Sequence, residues 1–185
     1  MLLLLKVVNA DGNFYTRIQS ESGAWITAHI ILLLSAVTLL PAALGIRTLI
    51  LGRNTGRVAT IMVPLIAISS ALLSGQYAID FLMPEIARLG GEAHEVHSFL
   101  SSDGLVNMLF YNLPELSSLG LLIMSLALIF DNKLGKILST ILLLNWILII
   151  SGNLISPILQ RSALFMLGFT FLLILYKMKD RINLE

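Results

Sequence analysis

The sequence predicts an all-α, polytopic membrane protein, a bundle of five transmembrane helices. Of its 185 residues, 57% are hydrophobic and only 12% are charged, whereas a soluble domain carries roughly 25% charged residues. Apolar stretches of about 20 residues, the length that crosses a ~30 Å hydrocarbon core, recur along the chain. These stretches are separated by segments that contain charged or turn-forming residues. Together the three observations exclude a soluble globular domain.

The predicted spans end at charged residues or at prolines. The last two come from one apolar block, residues 134–176, which is too long for a single span. This block is divided at SGNLISP, because Gly152-Asn153 suits a helix C-terminus and Ser156-Pro157 suits the start of the next helix. Four spans would require this block to remain undivided, and six would require a loop to form an additional span. The five spans cover residues 24–46, 58–82, 111–130, 134–151 and 157–176 of a single membrane domain, 1–185, with an outer loop at 83–110.

The distribution of Lys and Arg predicts an external N-terminus and a cytoplasmic C-terminus. Cytoplasmic loops carry an excess of these two residues, and this orientation places eight of the twelve on the cytoplasmic side. Arg47, Arg53 and Arg57, in the first short loop, contribute most to the asymmetry. Short basic inner loops favour the plasma (inner) membrane of a prokaryote. The four cations on the outer side are Lys6, Arg17, Arg88 and Arg161.

Polar side chains within the spans concentrate in the outer third of the predicted bundle. His29 follows the interfacial Trp25 by one turn, and Gln76 and Asp80 share one helical face. Ionisable groups inside a membrane are costly and mark functional sites. We therefore predict an outer pocket that binds a ligand. Its residues are His29, Gln76, Asp80, Asn112, Glu115 and Arg161.

These residues also have structural interpretations. Asn112 and Glu115 have the spacing of a capping box at the start of the third span. Arg161 could form a structural ion pair with Asp80 or Glu115, and His29 could be a hydrogen-bonded packing residue. The spacing and depth of these residues are thus compatible with a ligand-binding pocket and also with purely structural contacts.

A second polar position lies near the middle of the membrane. Asn145 and Trp146 fall in the fourth span, where an amide side chain has no water to bind. The two residues therefore predict a hydrogen bond between helices and close packing.

The outer loop contains the string E-A-H-E-V-H, from Glu92 to His97. On a helix His94 and His97 could share a face, but the string is not H-E-x-x-H and has no third ligand at fixed spacing. We therefore assign no metal site, and His94 and His97 are the only candidates for one.

The chain has no cysteine, which excludes thiolate-bound metals. Haem is not expected, because His29 is the only histidine in a span, and no other cofactor is assigned.

The second half of the outer loop predicts a short amphipathic helix at the membrane interface. Apolar residues recur between Phe99 and Phe110, and such helices lie in the plane of the interface. The helix would cover the polar pocket from above.

Three functions remain open. The first is binding of a lipid, an amphiphile or a cation in the outer pocket; the chain has no internal repeat and no polar path to the inner side, as alternating-access transport would require. The second is a membrane-embedded enzyme acting on a lipid-linked substrate, with His29 as general base or metal ligand and Asp80 and Glu115 as its partners. The third is an accessory or assembly subunit of a larger complex.

We favour binding over catalysis, because G-x-S-x-G, S-x-x-K and H-E-x-x-H are all missing from the sequence. The expected partners are the lipid bilayer, a lipid or small amphiphilic ligand, and another membrane protein or a second copy of the chain. A net charge of +1 provides no basic field for nucleic acid.

Overall fold

A computed structural model of the chain describes residues 7, 10, 12–90, 104–131, 134–155 and 157–182. These residues are mostly helical and include no β-strand, which confirms the predicted all-α class. The long and short helices are α1 (Phe14–Ser20), α2 (Ser22–Leu49), α3 (Arg53–Asp80), α4 (Met83–Arg88), α5 (Leu116–Asp131), α6 (Lys136–Ile155) and α7 (Pro157–Ile182).

Within the described residues, three helical segments are long and apolar enough to cross a membrane: Ser22–Leu49, Arg53–Arg88 and Leu105–Asp131. Two further apolar segments, Lys136–Gly152 and Ser162–Lys177, are shorter. Large apolar side chains on the long helices are exposed, as at Leu34 (61%) and Ile61 (64%). Because exposing so much apolar surface to water is unfavourable, these helices indicate an integral membrane protein.

The helices α2 and α3 extend beyond the predicted spans. They begin at Ser22 and Arg53 rather than at residues 24 and 58. Each has 28 residues, which is about 42 Å at 1.5 Å per residue. Since only the part inside hydrocarbon must be apolar, hydropathy locates that part and leaves the helix ends undefined.

The predicted outer loop is partly helical. It begins with α4, and a helical run from Leu105 continues directly into α5. This run contains a π-helical turn, Met108–Asn112, and then a 3-10 turn, Leu113–Glu115. We name Leu105–Glu115 the irregular segment. Its helical start lies within the amphipathic helix that the sequence predicts at 99–110, and the earlier part of that prediction lies outside the described residues.

The chain divides into two compact units. The first comprises Met1–Leu39 and Ala67–Leu116, and the second comprises Leu40–Ile66 and Ser117–Glu185. In the first unit, α1 and α4 pack through an apolar cluster formed by Val7, Ile18, Met83, Ile86 and Ala87. Helices α2 and α3 are also linked there, since Ser70 Oγ donates a hydrogen bond of 2.6 Å to the carbonyl of Ala36.

The second unit has its own core between α5 and neighbouring helices. Its fully buried side chains include Leu121, Met124, Leu128 and Leu142. A Cβ atom at Gly120 would lie 2.8 Å from Ile66 Cγ1, so glycine allows α5 to approach α3 at this point. Small residues at helix contacts are typical of membrane bundles.

Helix α6 does not end at Gly152, as the sequence predicts, but continues to Ile155. A Cβ atom at Gly152 would lie 2.6 Å from the Cα atom of Gln160. Glycine at this position therefore serves close contact with α7 instead of helix termination.

The predicted hydrogen bond between helices at Asn145 is confirmed. Its Nδ2 donates to Thr170 Oγ1 at 2.7 Å, and this bond joins α6 to α7. The Thr170 hydroxyl in turn donates to the carbonyl of Met166 at 2.9 Å. Trp146 is buried as predicted (3% exposed), and its indole Nε1 has no hydrogen-bond partner within the described part of the chain.

We expect Asn145→Leu to lower the free energy of unfolding by about 0.6–1.7 kcal/mol, the range for hydrogen bonds between membrane helices. The substitution keeps the number and branching of the side-chain heavy atoms but removes the donor to Thr170. Titration with a denaturing detergent in mixed micelles measures the effect. Ser35→Ala is the control, since the Ser35 hydroxyl bonds only to the carbonyl of Ile31 in its own helix. Equal effects of the two substitutions would contradict the prediction.

Candidate functional site

The candidate site contains a histidine–aspartate pair, with the histidine buried and the aspartate partly buried, that joins α2 to α3 within the first unit. His29 Nε2 lies 3.5 Å from Asp80 Oδ2, and the two side chains are 6% and 16% exposed. His29 lies near the start of α2 and Asp80 is the last residue of α3. The structure thus brings together two of the predicted site residues that are far apart in sequence.

The hydrogen bonds of His29 define where its protons are. Its Nδ1 lies 2.8 Å from the carbonyl oxygen of Trp25, and because a carbonyl only accepts, Nδ1 carries hydrogen. In a neutral imidazole Nε2 would then be a bare acceptor facing the carboxylate of Asp80. A proton on Nε2 would turn this contact into an ion pair with Asp80.

Trp25 holds both members of the pair. Its ring packs against the imidazole of His29, with 4.3 Å between ring centroids, and its Nε1 donates to the carbonyl oxygen of Asp80 at 2.8 Å. The last carbonyls of a helix have no partner within that helix. The indole of Trp25 therefore satisfies the end of α3 while it orients His29, a role beyond the interfacial position that the sequence indicates.

Tyr77 and Glu115 complete this neighbourhood. The ring of Tyr77 lies edge-on to His29, with 6.2 Å between centroids. The charges of Asp80 and Glu115 both act on the Tyr77 hydroxyl, so both carboxylates lie within electrostatic range of Tyr77. Tyr77 is not among the site residues that the sequence predicts. The available signal was its spacing, three residues before Asp80 on a helix.

The irregular segment positions Glu115. A Cβ atom at Gly75 would lie 2.6 Å from Phe110 Cε1, so the phenyl ring rests directly on the backbone of α3. Ser69 Oγ donates to the carbonyl of Leu113 at 3.4 Å. These contacts attach the π-helical and 3-10 turns to α3, and Glu115 follows at the end of the second turn. Single π-helical turns occur frequently at functional sites.

Of the remaining residues that the sequence predicts for the pocket or for a metal, some are described by the structure and others are not. Gln76 is half-buried, one turn before Asp80. Asn112 is exposed; its amide donates to Asn107 Oδ1 at 3.0 Å and does not cap the turn that follows. The capping-box interpretation of Asn112 is therefore wrong, because the π-helical turn replaces the extended residue that a capping box requires. The side chain of Arg161, and His94 and His97 entirely, lie outside the described residues.

The described residues contain no group of three or more His, Asp or Glu side chains placed to hold a metal ion. Both ring nitrogens of His29 already have protein partners. To bind a metal or to accept a proton from a substrate, the imidazole would have to leave Trp25 or Asp80.

Comparison with known proteins identifies no relative. No protein-family model matches the chain, and no curated protein and no solved structure is detectably similar to it. The function is therefore inferred from the geometry and chemistry of the chain itself.

Proposed function

We propose that the chain is a five-span membrane protein that binds an amphiphilic cation beside the His29–Asp80 pair, in the outer half of the bilayer. The observation that carries this proposal is the His29–Asp80 pair itself, largely shielded from solvent and packed against the rings of Trp25 and Tyr77. Ionisable groups retained in an apolar bundle generally have a role in ligand or ion binding.

The aromatic rings of the described group favour a cation. The rings of Trp25 and Tyr77 lie beside the His29–Asp80 pair, and aromatic faces attract organic cations by about 0.5–2 kcal/mol each. The group also contains the carboxylate of Asp80, and the charge of Glu115 acts on Tyr77. An anion would gain nothing from the aromatic faces.

The hydrogen bonds of His29 favour binding over catalysis. A general base needs a free nitrogen within reach of the substrate proton. In His29 the nitrogen Nδ1 is bound to the carbonyl of Trp25 and Nε2 faces Asp80. The imidazole is thereby suited to fix the carboxylate of Asp80 in place.

A matched pair of ions tests the proposal. Tetraphenylphosphonium and tetraphenylborate have nearly the same shape and opposite charge. With Trp146→Phe, Trp25 is the only tryptophan left, since the chain has two, and its fluorescence reports binding in nanodiscs of zwitterionic lipid. We expect saturable binding of the phosphonium ion and none of the borate.

Glu115→Gln should weaken phosphonium binding at least about fivefold, the equivalent of roughly 1 kcal/mol. Glu85→Gln is the control, because Glu85 is an exposed carboxylate paired with Arg88 at 2.9 Å. Equal binding of the two ions, or equal effects of the two substitutions, would overturn the proposal.

The five-span topology is supported by helix length. Helices α6 and α7 have 20 and 26 residues, about 30 and 39 Å, so each is long enough for a ~30 Å hydrocarbon core. The excess of arginine after α2 supports a cytoplasmic turn between α2 and α3.

The absence of cysteine makes the topology directly testable. Ser20→Cys and Asn54→Cys place single thiols at exposed positions before α2 and at the start of α3. We expect an impermeant maleimide to label Ser20→Cys in intact cells and Asn54→Cys only after permeabilisation. The opposite pattern would show that the proposed orientation is wrong.

A further inference from the structure

A second polar surface lies in the turn between α2 and α3, within the second unit. There a groove of about 550 Å³ is lined by Arg47, Arg53 and Arg57 together with apolar Leu51 and Ile61. Three guanidinium groups thus line one groove and have apolar side chains beside them. A role in membrane orientation does not explain this arrangement.

Arg47 forms the fixed part of the groove. Its Nε donates to Thr60 Oγ1 and its Nη1 donates to the carbonyl of Ile50, both at 2.8 Å. The partners are neutral, so they orient the guanidinium without compensating its charge. Two of its five N–H groups are used in this way, and the others have no partner within the part of the chain that the structure describes.

Arg53 and Arg57 add two exposed charges. They are four residues apart on the first turns of α3, where like charges repel each other and where the free N–H groups of a helix N-terminus favour an anion. Within the described residues neither arginine forms an ion pair. Binding of an anion would relieve this repulsion.

The carboxylate that contacts this turn is already engaged. Asp131 accepts hydrogen bonds from the backbone N–H groups of Leu51 and Gly52, the latter at 2.9 Å. A Cβ atom at Gly52 would lie 3.0 Å from Asp131 Oδ1, so the carboxylate is held tightly against the backbone. Among the described residues, one carboxylate at this turn against three arginines leaves an excess of two positive charges.

We propose that this groove binds the phosphate group of an anionic phospholipid. Arginine binds phosphate oxygens through two parallel N–H bonds, and basic pockets beside transmembrane helices are typical headgroup sites. Leu51 and Ile61 are 68% and 64% exposed and provide apolar surface for the first part of an acyl chain. Free phosphate would make no use of these two side chains.

The test uses the full chain in a neutral detergent, with phosphatidylglycerol, phosphatidylcholine and inorganic phosphate as probes. Native mass spectrometry measures the lipid retained. We expect phosphatidylglycerol to be retained at least tenfold better than phosphatidylcholine, and the preference to fall as ionic strength rises. Inorganic phosphate at millimolar concentration should leave the lipid bound.

The double variant Arg53→Gln/Arg57→Gln should lose most of this preference, at least a tenfold fall in affinity, with Arg47 left intact to hold the turn. Arg88→Gln is the matched control, since Arg88 is paired with Glu85. An unchanged melting temperature of the double variant verifies that it folds.

No preference for the anionic lipid, an equal loss in Arg88→Gln, or displacement of the lipid by inorganic phosphate would overturn the proposal. Retained phosphonium binding in the double variant separates this site from the His29–Asp80 site.

Discussion

Replacing Asp80 with leucine is expected to lower the free energy of unfolding by about 1–3 kcal/mol, the cost of leaving one buried polar group without its partner. Without the carboxylate, Nε2 of His29 faces apolar surroundings without its partner. An imidazole can remain neutral there, which keeps the loss below the 3–5 kcal/mol of an uncompensated buried ion.

The double variant His29→Leu/Asp80→Leu should recover most of that stability, because buried polar pairs are often replaceable by apolar residues of similar size. A double-mutant cycle measured by detergent-induced unfolding gives the coupling energy between the two positions. Additive single effects would show that the two side chains do not interact. Loss of phosphonium binding in the stable double variant would distinguish a functional pair from a purely structural one.

Gly152→Ala is expected to destabilise the contact between α6 and α7 by about 1–3 kcal/mol or more, the usual range for overpacking. The added methyl group would lie 2.6 Å from the Cα atom of Gln160. The obstacle is backbone, so rotation of a side chain cannot relieve it and the helices must move apart.

Gly168→Ala provides a matched control on α7. Apart from the backbone of its own helix, no atom of the described residues lies within 4 Å of a Cβ added at Gly168, and alanine has the higher helix propensity, by up to about 1 kcal/mol. We therefore expect Gly168→Ala to be neutral or stabilising in the same detergent titration. A Gly152→Ala variant as stable as Gly168→Ala would contradict the close contact between the helices.

Hydropathy was sufficient to predict an all-α chain with long apolar helices, because membrane lipid selects for apolar composition over about 20 residues. It could not predict the helix ends, since Ser22 and Arg53 start helices outside the apolar part. The sequence also predicts a helix end at Gly152, because glycine is common in two different structural positions. A glycine can terminate a helix or allow another helix to approach, and only the position of Gln160 decides between them.

The site was predictable in its ionisable members and less so in their arrangement. His29, Asp80 and Glu115 stand out because charge is rare inside apolar spans. The roles of Trp25 and Tyr77 depend on contacts between helices, and aromatic residues are common enough in such helices to carry no signal alone. The π-helical turn at Met108–Asn112 shifts the helical phase before Glu115, so a regular 3.6-residue period could not indicate which face Glu115 occupies.

The length of α2 ties the His29–Asp80 pair to the thickness of the bilayer. An upright, centred helix of 28 residues extends about 6 Å beyond each side of a 30 Å hydrocarbon core. His29 is seven residues after Ser22, about 10 Å along the axis, and so lies only some 4 Å below the hydrocarbon boundary. Shorter acyl chains would bring the pair into contact with headgroup water, and longer ones would bury it further. Lipid chain length would thereby control how far the pair is hydrated.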